Sequence, residues 1–273
     1  MISVLVPSYN HQAYVGAALL SIQAQTFADL EVVIVDDAST DASPSVIGQI
    51  IESMEWRRRF PKRTKFIAWE KNQGAHAAIN FAAQRASGEL LTILNSDDRY
   101  SPDRLRVLAE IVDRGSEFVF SRSLFIDEEG KRIGELDPRV RHLWEAQNRI
   151  RYYPTVGLAF IQSNVALTTG NLIVTHGLFD EIGGMFDLEY CHDWDFCLRA
   201  ALRAEPVFCD VPLYAYRIHG ANTYHALDGL SEIETETVRR RFLAQHWRAR
   251  NPLAPTANAW PGIYDVLAEW VGY

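Results

Sequence analysis

The stretch Leu30-Glu31-Val32-Val33-Ile34-Val35-Asp36-Asp37 is a run of mainly β-branched residues that ends in two carboxylates. Its central residues are apolar at successive positions, which is typical of a strand whose sheet is covered by helices on both faces. Similar runs alternate with longer helical patterns over the first 120 residues. This alternation predicts an α/β fold with parallel strands joined by right-handed helical crossovers. The predicted strands are Ile2–Val6, Leu30–Val35, Phe66–Trp69, Leu90–Leu94 and Phe118–Phe120, and the predicted helices are Ala13–Gln25, Ser45–Glu55, Ala75–Ala86 and Asp103–Arg114.

Each of the first four predicted strands leads into a short polar segment. In open α/β sheets, ligands bind beyond the carboxyl ends of the strands. The four polar segments therefore predict one shared binding site. They are Pro7-Ser8-Tyr9-Asn10, Asp36-Asp37-Ala38-Ser39-Thr40-Asp41, Lys71-Asn72-Gln73-Gly74 and Asn95-Ser96-Asp97-Asp98.

Two glycine-rich phosphate-binding motifs are missing from the sequence. The first strand is not followed by the dinucleotide fingerprint, and no P-loop occurs. A protein without such a cradle can neutralise a diphosphate with a divalent cation held by carboxylates. Mg²⁺ and Mn²⁺ prefer oxygen ligands of this kind, and Asp97 and Asp98 after the fourth strand are the predicted holders.

The charge, the cysteines and the apolar stretches of the sequence argue against several classes of protein. The 273 residues carry a formal net charge of −8, which argues against general nucleic-acid binding, because that function usually needs a basic excess. The three cysteines have no CxxC spacing and are expected to be reduced thiols. We find no signal peptide, and the most apolar later stretch, residues 156–174, contains too many polar residues to span a bilayer. A cytoplasmic protein is expected, with peripheral membrane contact as the alternative.

The pattern changes after about residue 121. Asp127-Glu128-Glu129-Gly130 predicts the tip of a hairpin, whereas residues 136–163 show no clear pattern and leave room for a mobile loop. Later elements are a strand at 171–174, a helix at 193–203 and strands at 207–211 and 213–217. Beyond about residue 220 the chain becomes helical, charged and aromatic, which predicts a boundary between a larger domain over 1–220 and a helical appendage over 221–273.

With these segments in order, the sequence resembles family 2 of the inverting glycosyltransferases over roughly residues 1–220. The resemblance implies a nucleotide-diphospho-sugar transferase (GT-A-type) fold: Rossmann-like, with a mixed central sheet, a nucleotide-binding half at about 1–120 and an acceptor-binding half at about 121–220. Besides the four strand-end segments, the matching elements are Gln25-Thr26-Phe27, Ala86-Ser87-Gly88-Glu89, Pro102, Thr169-Gly170-Asn171, Gly183-Gly184, His192-Asp193-Trp194-Asp195-Phe196 with Arg199, and Tyr216-Arg217-Ile218-His219.

The resemblance also implies roles for the matching polar residues. Tyr9 would stack on the base, Asp37 would accept a hydrogen bond from it, and Asn95 would lie near the ribose. The metal would be held by Asp97, with Asp98 beside it and His219 as a third candidate, which could equally be an ordinary loop histidine. The full set implied for nucleotide binding is Pro7, Tyr9, Asn10, Asp37, Asn72, Gly74, Asn95 and Ser96.

The same resemblance makes Asp193 the catalytic base. Asp193 and Asp195 both fall in the first turn of a predicted helix, where the dipole favours carboxylates and should lower the pKa of Asp193. We interpret Asp195 as structural. Many relatives carry Asp at the position of Asn95 and Glu at the position of His192, and the second departure bears more on acceptor chemistry than on donor binding.

The function predicted on this basis is metal-dependent, inverting sugar transfer, with UDP favoured over GDP or dTDP as carrier. The cofactor would be Mn²⁺ or Mg²⁺. The acceptor would be a hydroxyl of a glycan, a lipid-linked glycan or another molecule, for example in surface polysaccharide assembly.

Two other functions are alternatives. A nucleotidyltransferase would need a glycine-rich basic loop after the first strand, where Pro7-Ser8-Tyr9-Asn10 stands. A non-catalytic module that binds nucleotide sugars or glycans is the second alternative, because of Asn95 and His192. The arginines and aromatic residues of the appendage suit a helix that covers the catalytic domain, docks a partner or touches a membrane.

Overall fold

The structure, a computed structural model, describes residues 1–220, 228–245, 248–256, 259, 260 and 262. Within this part of the chain nine strands form one sheet, and ten α-helices surround it. The strands are β1 (Ile2–Ser8), β2 (Leu30–Asp36), β3 (Thr64–Ala68), β4 (Leu90–Ile93), β5 (Arg99–Tyr100), β6 (Phe118–Ile126), β7 (Arg132–Ile133), β8 (Leu172–Thr175) and β9 (Val207–Arg217). The helices are α1 (Val15–Gln23), α2 (Ser43–Glu52), α3 (Met54–Arg59), α4 (Ala75–Arg85), α5 (Arg104–Val112), α6 (Arg141–Arg149), α7 (Val156–Gln162), α8 (His176–Glu181), α9 (His192–Ala201) and α10 (Asp228–Gln245).

The sheet is mixed. Its order is β3-β2-β1-β4-β8-β6-β9-β5, with β7 paired to β6 as a hairpin. The first four strands of this order are mutually parallel, as predicted from the alternating pattern. Strand β8 is antiparallel to both β4 and β6, and it therefore joins the parallel half to the second half of the sheet.

Two hydrophobic cores lie on opposite faces of the sheet. Successive residues of β2 alternate between them, since Val33 and Val35 belong to one core and Val32 and Ile34 to the other. Every residue of β2 is buried, which confirms the prediction of a strand covered on both faces. The first core also contains residues of α4, α7, α8, α9 and α10, and the second contains residues of α1, α2, α3 and α5.

Residues 136–163, which show no clear sequence pattern, are largely helical. This segment contains α6, a 3₁₀ turn at Ile150–Tyr152 and α7. A third small cluster, Phe125, Ile133 and Val140, lies against Leu143 and Trp144 of α6, so α6 is held by contacts with the distant hairpin. Such contacts are invisible in a local sequence pattern.

The two predicted strands at 207–211 and 213–217 are one strand, β9. Its register against β6 shifts twice near Pro212. Proline cannot donate a ladder hydrogen bond and is tolerated in a sheet at such irregular positions, which explains why the sequence pattern looked interrupted.

The C-terminal helix α10 packs on the first core. Val238 and Phe242 are buried in the first core, and Trp260 packs against it. Trp247, Tyr264, Trp270 and Tyr273 of the predicted aromatic appendage lie outside the described residues. Among the helices that the structure describes, none is long and apolar enough to cross a bilayer.

Candidate active site

The carboxyl ends of β1, β2 and β4 lie side by side because these strands are parallel neighbours. Their loops are bonded to one another. The backbone amide of Asn10 donates to Ser39 Oγ at 2.9 Å, and Asn10 Oδ1 accepts from the amide of Thr40 at 2.8 Å. Asn10 itself has a positive φ of 53°, a conformation that asparagine tolerates better than most residues. It ties the first two loops together.

Asp37 is held by the loop that follows β3. Its two carboxylate oxygens accept the backbone amides of Gln73 at 2.7 Å and Gly74 at 2.8 Å, and Asn72 Nδ2 donates to its carbonyl at 3.2 Å. Gly74 has φ +90°, which favours glycine at this position. Tyr9 is 45% exposed at the same edge, so its ring is open to a ligand.

Asn95 and Ser96 connect this edge to other parts of the protein. Asn95 Nδ2 donates to Thr168 Oγ1 at 2.7 Å, and Thr168 belongs to the second half of the chain. Ser96 is buried, and its Oγ lies 2.7 Å from His11 Nδ1. The structure therefore brings Asn10, Asp37, Asn72, Gly74 and Ser96 into one connected set of loops.

A histidine that the sequence analysis did not select completes a cluster with Asp97. The ligand-type atoms of His11, Asp97 and His219 all lie within 4.8 Å of one another. His219 Nε2 is 3.0 Å from Asp97 Oδ2, and His11 Nε2 is 3.9 Å from the same oxygen. His11 comes directly after the polar segment of β1, so the convergence of strand ends was a signal that could have found it.

This donor set fits a divalent cation. Histidine ligands are usually oriented by a hydrogen bond from the other ring nitrogen, and the bond between His11 Nδ1 and Ser96 leaves Nε2 directed at Asp97. Burial alone would raise the pKa of Asp97, but the hydrogen bond from His219 and the charges of both histidines outweigh it and lower that pKa. These contacts favour the ionised form of Asp97, the form that binds a cation.

Asp98, the other predicted metal ligand, is not brought into this cluster. It is fully buried, and its two oxygens accept hydrogen bonds from Tyr214 Oη at 2.5 Å and from the Arg217 amide at 2.7 Å. Burial, with a smaller contribution from the charge of Asp97, raises the pKa of Asp98 well above its ordinary value. Neighbouring residues of one turn thus point in different directions, and Asp98 anchors the turn to β9.

Asp193 lies in the first turn of α9 and is partly buried. The expectation of a lowered pKa was wrong. Burial raises the pKa of Asp193, and this outweighs the charge of His192 and the hydrogen bonds from Trp194 and Asn164. A carboxylate with a raised pKa is a stronger base than an ordinary aspartate.

The residues on either side of Asp193 are engaged differently. His192 Nε2 is 3.0 Å from Thr169 Oγ1, while its buried Nδ1 has no hydrogen-bond partner among the described residues. Asp195 is buried and forms an ion pair with Arg199 at 2.7 Å. This contact agrees with the structural role expected for Asp195.

Comparisons with known proteins address the fold and family of this arrangement. A family model described as "Glycosyl transferase family 2" matches residues 3–183. The GalNAc(5)-diNAcBac-PP-undecaprenol beta-1,3-glucosyltransferase of Campylobacter jejuni is 34% identical over 129 residues, which cover 47% of this chain and 40% of that protein. The chain spans only 32%, 51% and 61% of the length of three other curated relatives.

Two solved structures share the fold. TarS 1–349 of S. aureus in complex with UDP-GlcNAc has a TM-score of 0.68 at 20% identity, and the match covers 99% of this chain and 71% of that one. The mannosyltransferase PcManGT of Pyrobaculum calidifontis, in complex with GDP-Man and Mn²⁺, has a TM-score of 0.64 at 20% identity and covers 99% and 74%. The GT-A-type fold implied by the sequence motifs is therefore confirmed.

Proposed function

The chain belongs to glycosyl transferase family 2, and from this premise we propose that it transfers a sugar from a nucleoside diphosphate to an acceptor hydroxyl with inversion at the anomeric carbon. The observation that carries the proposal is the cluster of His11, Asp97 and His219 at the carboxyl edge of the sheet, next to the loops of Asp37 and Ser96. A cation site beside a candidate base-binding loop suits a nucleoside diphosphate.

The proposed cofactor is Mn²⁺ rather than Mg²⁺. Magnesium favours an all-oxygen octahedron, whereas two of the three candidate ligands here are imidazoles, which suit transition metals. A bound cation supplies charge neutralisation for the leaving diphosphate. The Mn²⁺ in the complex of PcManGT supports this choice.

Base recognition is assigned to Asp37 and Tyr9. The hydrogen bonds from Gln73 and Gly74 fix the Asp37 carboxylate, and each of its oxygens keeps a second lone pair that can accept an N–H of a base. Tyr9 is exposed enough to stack. We favour uracil as the base, and the UDP-GlcNAc complex of TarS supports a uridine donor.

Asp193 is the proposed catalytic base. It would remove the proton of the acceptor hydroxyl while that oxygen attacks the anomeric carbon and the bond to the diphosphate breaks. Its raised pKa improves its ability to accept this proton at neutral pH.

The proposed domain organisation has an acceptor-binding half at about 121–220 and an appendage at 221–273.

The proposed acceptor is a lipid-linked glycan met at the cytoplasmic face of a membrane. The name of the Campylobacter jejuni relative includes a diphospho-undecaprenol glycan, which supports this class over a free sugar. A non-catalytic binding module is not favoured, because the matching family model and the Campylobacter jejuni relative both carry the name of a glycosyltransferase.

Calorimetry of UDP binding with Mn²⁺, with Mg²⁺ and with EDTA tests the cation. We expect tightest binding with Mn²⁺, loss of binding with EDTA, and the same loss in Asp97→Ala. His11→Ala should weaken Mn²⁺-dependent binding by at least roughly 10- to 100-fold, because loss of even an outer partner of a metal ligand usually costs that much. Asp103→Ala, at an exposed aspartate, is the matched control. Equal affinity in Mn²⁺ and EDTA would contradict the metal proposal.

A turnover assay with a panel of UDP-, GDP- and dTDP-sugars tests the enzymatic proposal. Release of free nucleoside diphosphate from a UDP-sugar by the wild-type protein is the expected result. Tight binding of sugar nucleotides without release of product, in the presence of membrane lipid extract as acceptor source, would favour the binding-module alternative.

A further inference from the structure

The segment immediately before Asp193 is held by a residue of the C-terminal helix. The carboxylate of Glu234 in α10 accepts three consecutive backbone amides, from Glu189 at 2.7 Å, Tyr190 at 2.8 Å and Cys191 at 2.8 Å. Glu234 is buried. Three successive amides that converge on one point form a concave anion-binding site, and here a carboxylate 43 or more residues away fills it.

The acceptor for the Cys191 amide is the side chain of Glu234. Cys191 is the N-cap of α9, and its side chain makes no capping hydrogen bond. The N-cap amide is one of the four that a helix leaves unpaired. Without Glu234, the buried Cys191 amide would lose this acceptor, and a buried donor without an acceptor destabilises the segment.

Other residues on the same face of α10 contact the same region. Thr235 Oγ1 is 3.8 Å from Cys191 Sγ, Arg241 lies 3.8 Å from Asp195 Oδ1, and Val238 and Phe242 are buried in the core that contains Trp194. Residues 234, 238, 241 and 242 follow helical spacing. One face of α10 therefore packs along the segment from Cys191 to Asp195.

We propose that Glu234 is a positioning residue for sugar transfer, which holds the 189–191 segment and thereby fixes His192 and Asp193 relative to the donor site. The inference rests on the proposed function, because it takes Asp193 to be the base. It also assigns α10 a part in catalysis, in place of an accessory covering role. A misplacement of about 1 Å at a reacting group can cost ~10²-fold in rate.

The central variant is Glu234→Gln, which keeps the shape but turns an N–H donor toward a backbone N–H. Turnover of the sugar nucleotide that the wild type uses fastest should fall by ~10²-fold. Mn²⁺-dependent UDP affinity should stay unchanged, because the hydrogen bonds of Glu234 hold the segment before α9 and not the strand-end loops proposed to bind the nucleotide. Hydrogen exchange of the amides of residues 189–191 should speed up selectively. Glu236→Gln is the matched control, since Glu236 lies on the same helix and is bonded to Arg240 at 2.6 Å on an exposed surface.

A purely structural role is separated by Val238→Ala, which loosens the packing of α10 without touching the three amides. Assayed well below both melting temperatures, Val238→Ala should retain turnover while Glu234→Gln loses it. If Glu234→Gln does not fold, Glu234→Asp, which keeps the charge with a shorter reach, takes its place in the same comparison. Wild-type turnover in the Glu234 variant, or an equal loss in Val238→Ala at an equal drop in melting temperature, would overturn the proposal.

Asp193→Asn separates this inference from the proposed function. If Asp193→Asn is inactive and the Glu234 variant is fully active, only the positioning role fails. If Asp193→Asn turns over donor at the wild-type rate, the assignment of the base fails, whereas the exchange measurement still shows whether Glu234 holds the segment.

Discussion

Three aspartates near the carboxyl edge of the sheet differ in how readily they ionise. The pKa of Asp97 is lowered by its hydrogen bond from His219 and by two histidine charges in spite of burial, while burial raises the pKa of Asp98 and of Asp193. Environments that push the pKa values of like groups apart are a general mark of acid–base sites. Here they separate a candidate metal ligand, an anchor and a candidate base.

Removal of the charge of Asp193 should slow sugar transfer. Asp193→Asn keeps the shape and the hydrogen bond from the Trp194 amide but removes the charge. Transfer should fall by roughly 10²–10⁴-fold, the usual contribution of a positioned general base, with donor binding intact. In the wild type, the acidic limb of the kcat profile should have its midpoint above about 3.9, the ordinary aspartate value.

Stability gives an independent test of the same residue. Because the folded-state pKa of Asp193 is raised, its stabilising contribution is complete at low pH and is lost as pH rises through that pKa. Asp193→Asn should therefore raise the melting temperature at pH 7 and have little effect below about pH 3.9.

His192→Ala should reduce sugar transfer less than Asp193→Asn does. If His192→Ala is inactive and Asp193→Asn is not, histidine is the base.

Sequence alone identified Asp97 and His219 but not the whole cluster. It placed Asp98 beside Asp97 because the two are adjacent after β4, yet Tyr214 and Arg217 of β9 bind Asp98. It omitted His11, whose ring reaches Asp97 from the end of β1. A strand end can be read from a pattern of residues, whereas the direction of each side chain at that end depends on strands distant in sequence.

Helix α9 shows how one element combines a structural and a functional end. Asp195 and Arg199 are one turn apart and form a buried ion pair, and the guanidinium also donates to the carbonyls of Ile182 and Gly184 at 2.5 and 2.8 Å. The pair joins α9 to the end of α8. It therefore holds the helix whose first turn carries Asp193.

Loss of the Asp195 charge should destabilise the fold. Asp195→Asn leaves a buried arginine without its counter-charge, and breaking a buried pair in this way typically costs about 3–5 kcal/mol. Chemical denaturation should show a loss of this order, with turnover per folded molecule largely kept. Asp103→Asn, which removes an exposed partner of Arg106, should leave stability nearly unchanged, because water and salt screen such pairs. Similar losses in the two variants would contradict the structural role of Asp195.

Elements with strong periodicity were predictable, and those held by distant contacts were not. The parallel strands and α4 lie close to their predicted bounds. Helix α6 was missed because its apolar side chains Leu143 and Trp144 meet partners in the β6–β7 hairpin. Short helices depend on such tertiary packing more than on propensity.

The two halves of the chain meet where β4 pairs with β8. Just beyond that junction Asn95 binds Thr168, and Gly170 faces both Asn95 and Tyr214. A Cβ at Gly170 would lie 1.9 Å from Tyr214 Oη and 3.1 Å from the Asn95 amide nitrogen. The second half therefore approaches the candidate metal turn so closely that no side chain fits between them.

Substitution of Gly170 tests this junction. Gly170→Ala must displace Tyr214, whose hydroxyl donates to Asp98 at 2.5 Å, and overpacking of a buried site typically costs about 1–3 kcal/mol. Because Asp98 adjoins Asp97, Mn²⁺-dependent UDP affinity should fall together with the melting temperature. Gly177→Ala in α8 is the matched control, since its new methyl group would meet nothing within 4 Å, and a helical alanine should stabilise by roughly 0.5–1 kcal/mol.

Adding Tyr214→Phe to Gly170→Ala removes the clashing hydroxyl and should restore part of the stability but not the contact with Asp98. If Gly170→Ala is as stable as Gly177→Ala and binds UDP normally, the turn that carries Asp97 does not depend on the second half of the chain.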